Sequence, residues 1–195
     1  MKNEREYRSM ELRIQDKNAY IVEGYASTFD TYTLFTIDGT DYRERIEPNA
    51  FDEADLSDLV FRVDHEGRVY ARSSAGTVET WVDEHGLGQR TDLSRTQAAR
   101  ELFADIEAGN YPQMSFAFSV LEDEYDSGTH TRVIKRIGKV YDVSPVSFPA
   151  NPYTELGVAT RAYFDGAIER EKAERLEREA RETQKRKIRI LTEVL

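Results

Sequence analysis

The chain has 195 residues, 39% of them hydrophobic, which is enough for one domain with a real core, and it carries a formal net charge of −10. That balance argues against nucleic acid or an anionic membrane as the main partner, because phosphate binding takes a clustered excess of Lys and Arg. There is no cysteine, so disulfides, thiolate metal sites and a cysteine nucleophile are all excluded.

The N-terminal Met1–Arg8 lacks the apolar run of a signal peptide, and no apolar stretch approaches the ~20 residues that span a bilayer, so a cytoplasmic protein is expected. Up to about residue 160 the apolar residues fall in short runs rich in Val, Ile, Tyr and Phe, which reads as a β-rich α+β domain. In chain order, strands are expected at Glu11–Ile14 and Ala19–Tyr25. The Pro48-Asn49-Ala50-Phe51 stretch predicts a short helix over Ala50–Ser57. Further strands are expected at Leu59–Val63, Gly76–Val82 and Gly88–Asp92. Helical spacing of Ala98, Ala99, Leu102, Phe103 and Ile106 predicts a helix over Arg95–Ala108, stopped by Gly109-Asn110. Strands at Met114–Leu121 and Thr131–Tyr141 read as a hairpin around Asp126-Ser127-Gly128, and Val143–Phe148 is a last strand.

From about Asp165 the composition shifts to Glu, Arg and Lys. Oppositely charged pairs four residues apart, such as Glu171–Arg175 and Glu174–Arg178, predict a solvated helix over Ala167–Arg189 with a thin apolar stripe. A basic cluster, Lys185-Arg186-Lys187, precedes the apolar end of the chain. The expected organisation is a domain over residues 1–160 and a charged helical tail over 161–195, removable or docking to scaffold.

Three residue types stand out for chemistry. The chain has three histidines, His65, His85 and His130, and a hydrolase commonly uses one as general base. His65 closes an apolar run at a strand end, where a side chain can face a cleft. Ser115 opens the apolar segment Met114–Val120, as either a nucleophile or a small buried hydroxyl. There is no Gly-x-Ser-x-Gly elbow. Alternation puts Asp142 and Ser144 on one face of a β-rich run, where a carboxylate needs a partner. An imidazolium, Arg136 and Lys139 are all available. Asp64, His65 and Glu66 do not make a metal site, because successive strand residues point to opposite faces.

Four segments, taken in order, resemble the prohead serine proteases of tailed bacteriophages. They are Glu23-Gly24-Tyr25-Ala26-Ser27-Thr28-Phe29, Arg45-Ile46-Glu47-Pro48-Asn49-Ala50-Phe51, Val63-Asp64-His65-Glu66, and a helix–turn–serine strand followed by Asp142–Pro152. The resemblance spans about residues 7–160. It departs in the serine strand, where the family's usual Gly-Leu-Ser-Ile-Gly-Phe reads Gln113-Met114-Ser115-Phe116-Ala117-Phe118 and the Gly before the serine is replaced, and at Asn49, which replaces a Gly and tolerates the same left-handed backbone.

The family in turn resembles the herpesvirus assemblins, which implies a closed or partly closed β-barrel flanked by helices. It implies a serine endopeptidase with Ser115 as nucleophile, His65 as its base and Asp142 orienting His65. His85 and His130 rival Asp142 for the third role, since assemblins use a second histidine there. The implied substrates are the major capsid protein with its scaffold region, and the chain's own tail. The implied setting is the assembling prohead in the host cytoplasm, with a homo-oligomer there. No cofactor, metal, nucleic acid or membrane is expected. A catalytically inactive capsid-assembly or scaffolding protein is the competing reading.

Overall fold

The computed structural model of the chain describes residues 6–11, 13–16, 19–147 and 158–193. The chain opens with strands β1 (Glu6–Glu11), β2 (Arg13–Asp16) and β3 (Ile21–Thr28), then a hairpin of β4 (Tyr32–Ile37) and β5 (Thr40–Ile46). A second hairpin joins β6 (Val60–Val63) to β7 (Glu66–Arg72), and a third joins β8 (Val78–Val82) to β9 (Gly86–Asp92). Helix α1 (Gln97–Glu107) leads into the two longest strands, β10 (Gln113–Asp126) and β11 (Thr131–Val146), and helix α2 spans Val158–Glu193.

The strands form two sheets. One runs β1–β10–β11–β5–β4, with β6 and β7 attached through β6 to β11; the other runs β2–β3–β9–β8. The first sheet is mixed. β10 lies antiparallel to β11, whereas β5 and β6 run parallel to successive stretches of the opposite edge of β11. The domain is therefore β-rich α+β, as expected. Among the described residues, no pairing closes either sheet into a ring.

The core is built from the inward faces of these strands, with Val22, Phe61, Phe116, Phe118, Ile134, Ile137 and Val143 all without solvent exposure. Phe116 and Phe118 occupy alternate positions of β10 and stack with ring centroids 4.4 Å apart. Helix α1 adds Ala99, Leu102, Phe103 and Ile106, which recur on one face. Its start is fixed by Thr96, whose Oγ1 accepts the Ala99 N–H at 3.1 Å.

Three expectations need correction. Ala50–Ser57 is not a helix: only a 3₁₀ turn, Pro48–Phe51, forms. The backbone N–H and C=O of Asp55 pair instead with Gly138 O and Val140 N beside β11, so Asp55 cannot take part in a helical ladder. Secondly, Thr131–Tyr141 and Val143–Phe148 are not separate strands. Thr131–Val146 is continuous, and Phe148 lies outside the described residues. Bulges near Ala117, Ser119 and Glu122 let the long hairpin bend without breaking. Thirdly, the β4–β5 hairpin was not expected. Its signal was present as Asp38-Gly39, whose φ values of 50° and 78° make the two-residue turn that suits a twisted hairpin.

Residues 1–159 and 160–195 form two compact units. In the second, α2 carries exposed Arg175–Glu179 and Glu177–Arg181 pairs at i, i+4, and Leu176 and Ile188 face solvent. Among the described residues, no helix is long and apolar enough to cross a membrane.

Candidate active site

Strand β11 is the spine of the site. At its C-terminal end it lies between β10, which carries Ser115, and β6, which feeds into His65. In register, Ser115 faces Ser144 and Ala117 faces Asp142 across the antiparallel ladder, while Asp142 and Val143 run beside Val60 and Phe61 of β6. Three neighbouring strands thus deliver three side chains that are 27 to 77 positions apart in the chain to one place.

The imidazole of His65 joins the other two. Its Nδ1 lies 2.6 Å from Asp142 Oδ1, and its Nε2 lies 2.8 Å from Ser115 Oγ. A carboxylate only accepts, so Nδ1 donates to Asp142 and Nε2 is left to accept the Ser115 hydroxyl proton. Asp142 and Ser115 are each 1% exposed, while the His65 side chain is 15% exposed. This leaves the imidazole as the most accessible of the three groups.

Asp142 has a second donor. Ser144 Oγ bonds to the same Oδ1 at 2.8 Å, and Ser144 is fully buried. The alternation expected for this run places both on one face, as two residues apart on a strand must be. The other partners open to Asp142 are engaged elsewhere: Lys139 Nζ lies 2.6 Å from Asp55, and Arg136 Nη1 lies 3.9 Å from Glu122. The Lys139 ammonium, with Ser57, holds the Asp55 carboxyl well below the usual carboxylate range.

The rival histidines sit in other surroundings. His85 lies in the bend between β8 and β9, its ring 5.8 Å from that of Tyr25. His130 lies in the β10–β11 turn, its Nδ1 3.4 Å from the Tyr125 hydroxyl. The position on Nδ1 that either would fill is taken by Asp142.

His65 is held in a two-residue turn. Val63 pairs with Glu66, and between them Asp64 and His65 have φ values of 47° and 60°. Two consecutive left-handed residues are the geometry of a tight hairpin turn, which normally favours Asn-Gly or Asp-Gly. With a side chain at both positions the turn costs about 1–2 kcal/mol per residue, so the surroundings must hold it. Arg62 contributes, its Nη1 donating to His65 O at 3.0 Å.

Chemically, the arrangement matches the requirements of nucleophilic acyl transfer. A hydroxyl sits within hydrogen-bond reach of an imidazole whose far nitrogen is fixed by a buried carboxylate. The family model of the caudovirus prohead serine proteases matches residues 8–166 of the chain. The chain belongs to that family. It is also similar to the prohead protease of Enterobacteria phage HK97, with 34% identity over 85 residues, covering 43% of this chain and 37% of that protein. The chain thus matches well under half the length of this relative. No solved structure matches it.

Proposed function

We propose that this member of the prohead serine protease family is an active endopeptidase that cleaves capsid and scaffold proteins during head maturation. The observation that carries this reading is the run of two hydrogen bonds through His65, 2.8 Å to Ser115 and 2.6 Å to Asp142. Ser115 Oγ attacks the scissile carbonyl carbon while His65 Nε2 takes its proton. As the tetrahedral adduct collapses, the C–N bond breaks and the same proton passes to the leaving amine. A water then repeats the sequence on the acyl-enzyme, and Ser115 is regenerated. Asp142 keeps the imidazole in the required tautomer and stabilises its charged form.

The wider setting follows from the same reading. The substrates are the major capsid protein with its scaffold region, and the chain itself, cut so as to release residues 161–195 from the domain over 1–160. The site of action is the assembling prohead in the host cytoplasm, where copies of the chain associate. β3 runs beside β1 and β10 of the other sheet, which supports a partly closed barrel.

Co-expression with the major capsid protein of the same phage tests the function. Wild type should shorten the capsid subunit, and Ser115→Ala and His65→Ala should leave it full length by intact mass. A subunit left whole by folded wild type would instead favour an inactive assembly protein.

A further inference from the structure

The joint between β6 and β11 is too short to explain by itself how His65 is aimed. Their parallel ladder covers two residue pairs, Asp142 with Val60 and Val143 with Phe61. The β6–β7 hairpin beyond it is irregular, with register shifts between Phe61 and Arg62 and again between Arg62 and Val63. The turn that carries His65 therefore stands at the end of a bulged hairpin, in a left-handed conformation that two non-glycine residues adopt reluctantly. Something else must tie it to the strand that bears Asp142.

Asp64 makes that tie through both its backbone and its side chain. Its N–H donates to Pro145 O at 3.1 Å. Its carboxylate accepts the Ser147 N–H on Oδ1 at 2.9 Å and the Ser147 hydroxyl on Oδ2 at 2.8 Å. Three hydrogen bonds thus fasten the residue before His65 to the last residues of β11 and the one that follows, 83 positions away in sequence. Asp142, Ser144 and this anchor lie on one short stretch of chain. We propose that Asp64 is a positioning residue: its carboxylate, clamped on Ser147, fixes the left-handed turn so that the His65 ring stands between Asp142 and Ser115. Asp64 touches no reacting atom in this scheme and acts only through His65. The proposal rests on the catalytic reading of Ser115, His65 and Asp142 given above.

Two substitutions separate the clamp from the backbone requirement. Asp64→Gly relieves the left-handed backbone but removes the carboxylate. Asp64→Asn tolerates that backbone and restores both side-chain bonds, since its amide oxygen accepts the Ser147 N–H and its amide nitrogen donates to the Ser147 hydroxyl. Ser147→Ala removes one of the two side-chain bonds and leaves the other.

The test is made on the full chain with two readouts. The first is the low-field proton NMR signal of the His65 Nδ1–H bonded to Asp142, identified by its loss in His65→Ala. The second is the rate at which a fluorophosphonate probe modifies Ser115, followed by intact mass. Asp64→Gly should weaken or broaden the His65 proton signal and slow labelling on the order of 10–100-fold, as expected when a reacting group is misplaced by up to about 1 Å. Asp64→Asn should keep the signal and recover most of the rate, with Ser147→Ala between them. A folded Asp64→Gly that keeps both the signal and the labelling rate of wild type overturns the proposal. So does an Asp64→Asn that fails as Asp64→Gly does. The proton signal reports on aim even where Ser115 does not react, so a wild type that keeps the signal but never labels at Ser115 sinks the catalytic reading. In that case the signal in Asp64→Gly still decides the clamp.

Discussion

Ser144 Oγ donates to the same Asp142 oxygen that accepts from His65 Nδ1, at 2.8 Å against 2.6 Å. Asp142 is thus held by two donors, one from its own strand and one from the turn after β6. A buried carboxylate is costly without such partners.

Removing the hydroxyl should be felt in stability as well as in rate. Ser144→Ala leaves a buried acceptor short of one donor, and a loss of about 1–3 kcal/mol is expected. The measurement is the urea midpoint at unchanged slope. A variant as stable as wild type would mean that Asp142 does not depend on Ser144.

Asp142→Asn keeps the shape of the side chain but offers an N–H or a weaker acceptor to His65 Nδ1, which favours the wrong tautomer. Turnover should fall by ~10²–10⁴-fold with the fold retained, in line with the same change in other serine hydrolases. Circular dichroism with a rate assay checks both halves of this expectation.

Gly88 lies under the indole of Trp81, so closely that an added Cβ would collide with the ring. Gly88→Ala should displace the indole and cost about 1–3 kcal/mol, typical of overpacking. Trp81 is the only tryptophan, so its fluorescence reports the displacement directly.

The Arg72 guanidinium grips Asp58 with two bonds of 2.7 Å and, with Ser74, pulls its carboxyl from 3.8 to about 2. A depressed pKa stabilises the fold above the unfolded value, and that contribution fades as pH falls towards about 2. Both side chains are nearly half exposed, so the effect is screened by salt. Between pH 4 and pH 2, wild type should lose more stability than Asp58→Asn. Parallel acid titrations of the two would contradict this.

Much of the site could be read in the sequence, and the missing parts share a cause. Ser115, His65 and Asp142 stand out by residue type and by their place in an ordered set of motifs. Ser144 followed from alternation along one strand. The Asp64–Ser147 tie was not legible, because nothing local marks a carboxylate for a partner 83 residues away. Nor does a turn without glycine announce itself. Helix α1 was legible to within two residues, since its apolar face and its Gly109-Asn110 stop are local features. β7 was not, because Glu66–Arg72 is mostly exposed and polar, and becomes a strand through pairing with β6. Ala50–Ser57 failed for the opposite reason: a local helical pattern gave way to the pairing of Asp55 beside β11.

The most direct test of the central claim is where a fluorophosphonate lands on the purified chain. The probe's P–F bond breaks as the attacking serine oxygen bonds to phosphorus, so only a serine with a working base reacts quickly. A single adduct is expected, which peptide mapping places on Ser115, absent in Ser115→Ala and severely slowed in a folded His65→Ala. An adduct on another serine, or labelling of Ser115 that is indifferent to His65, would contradict it.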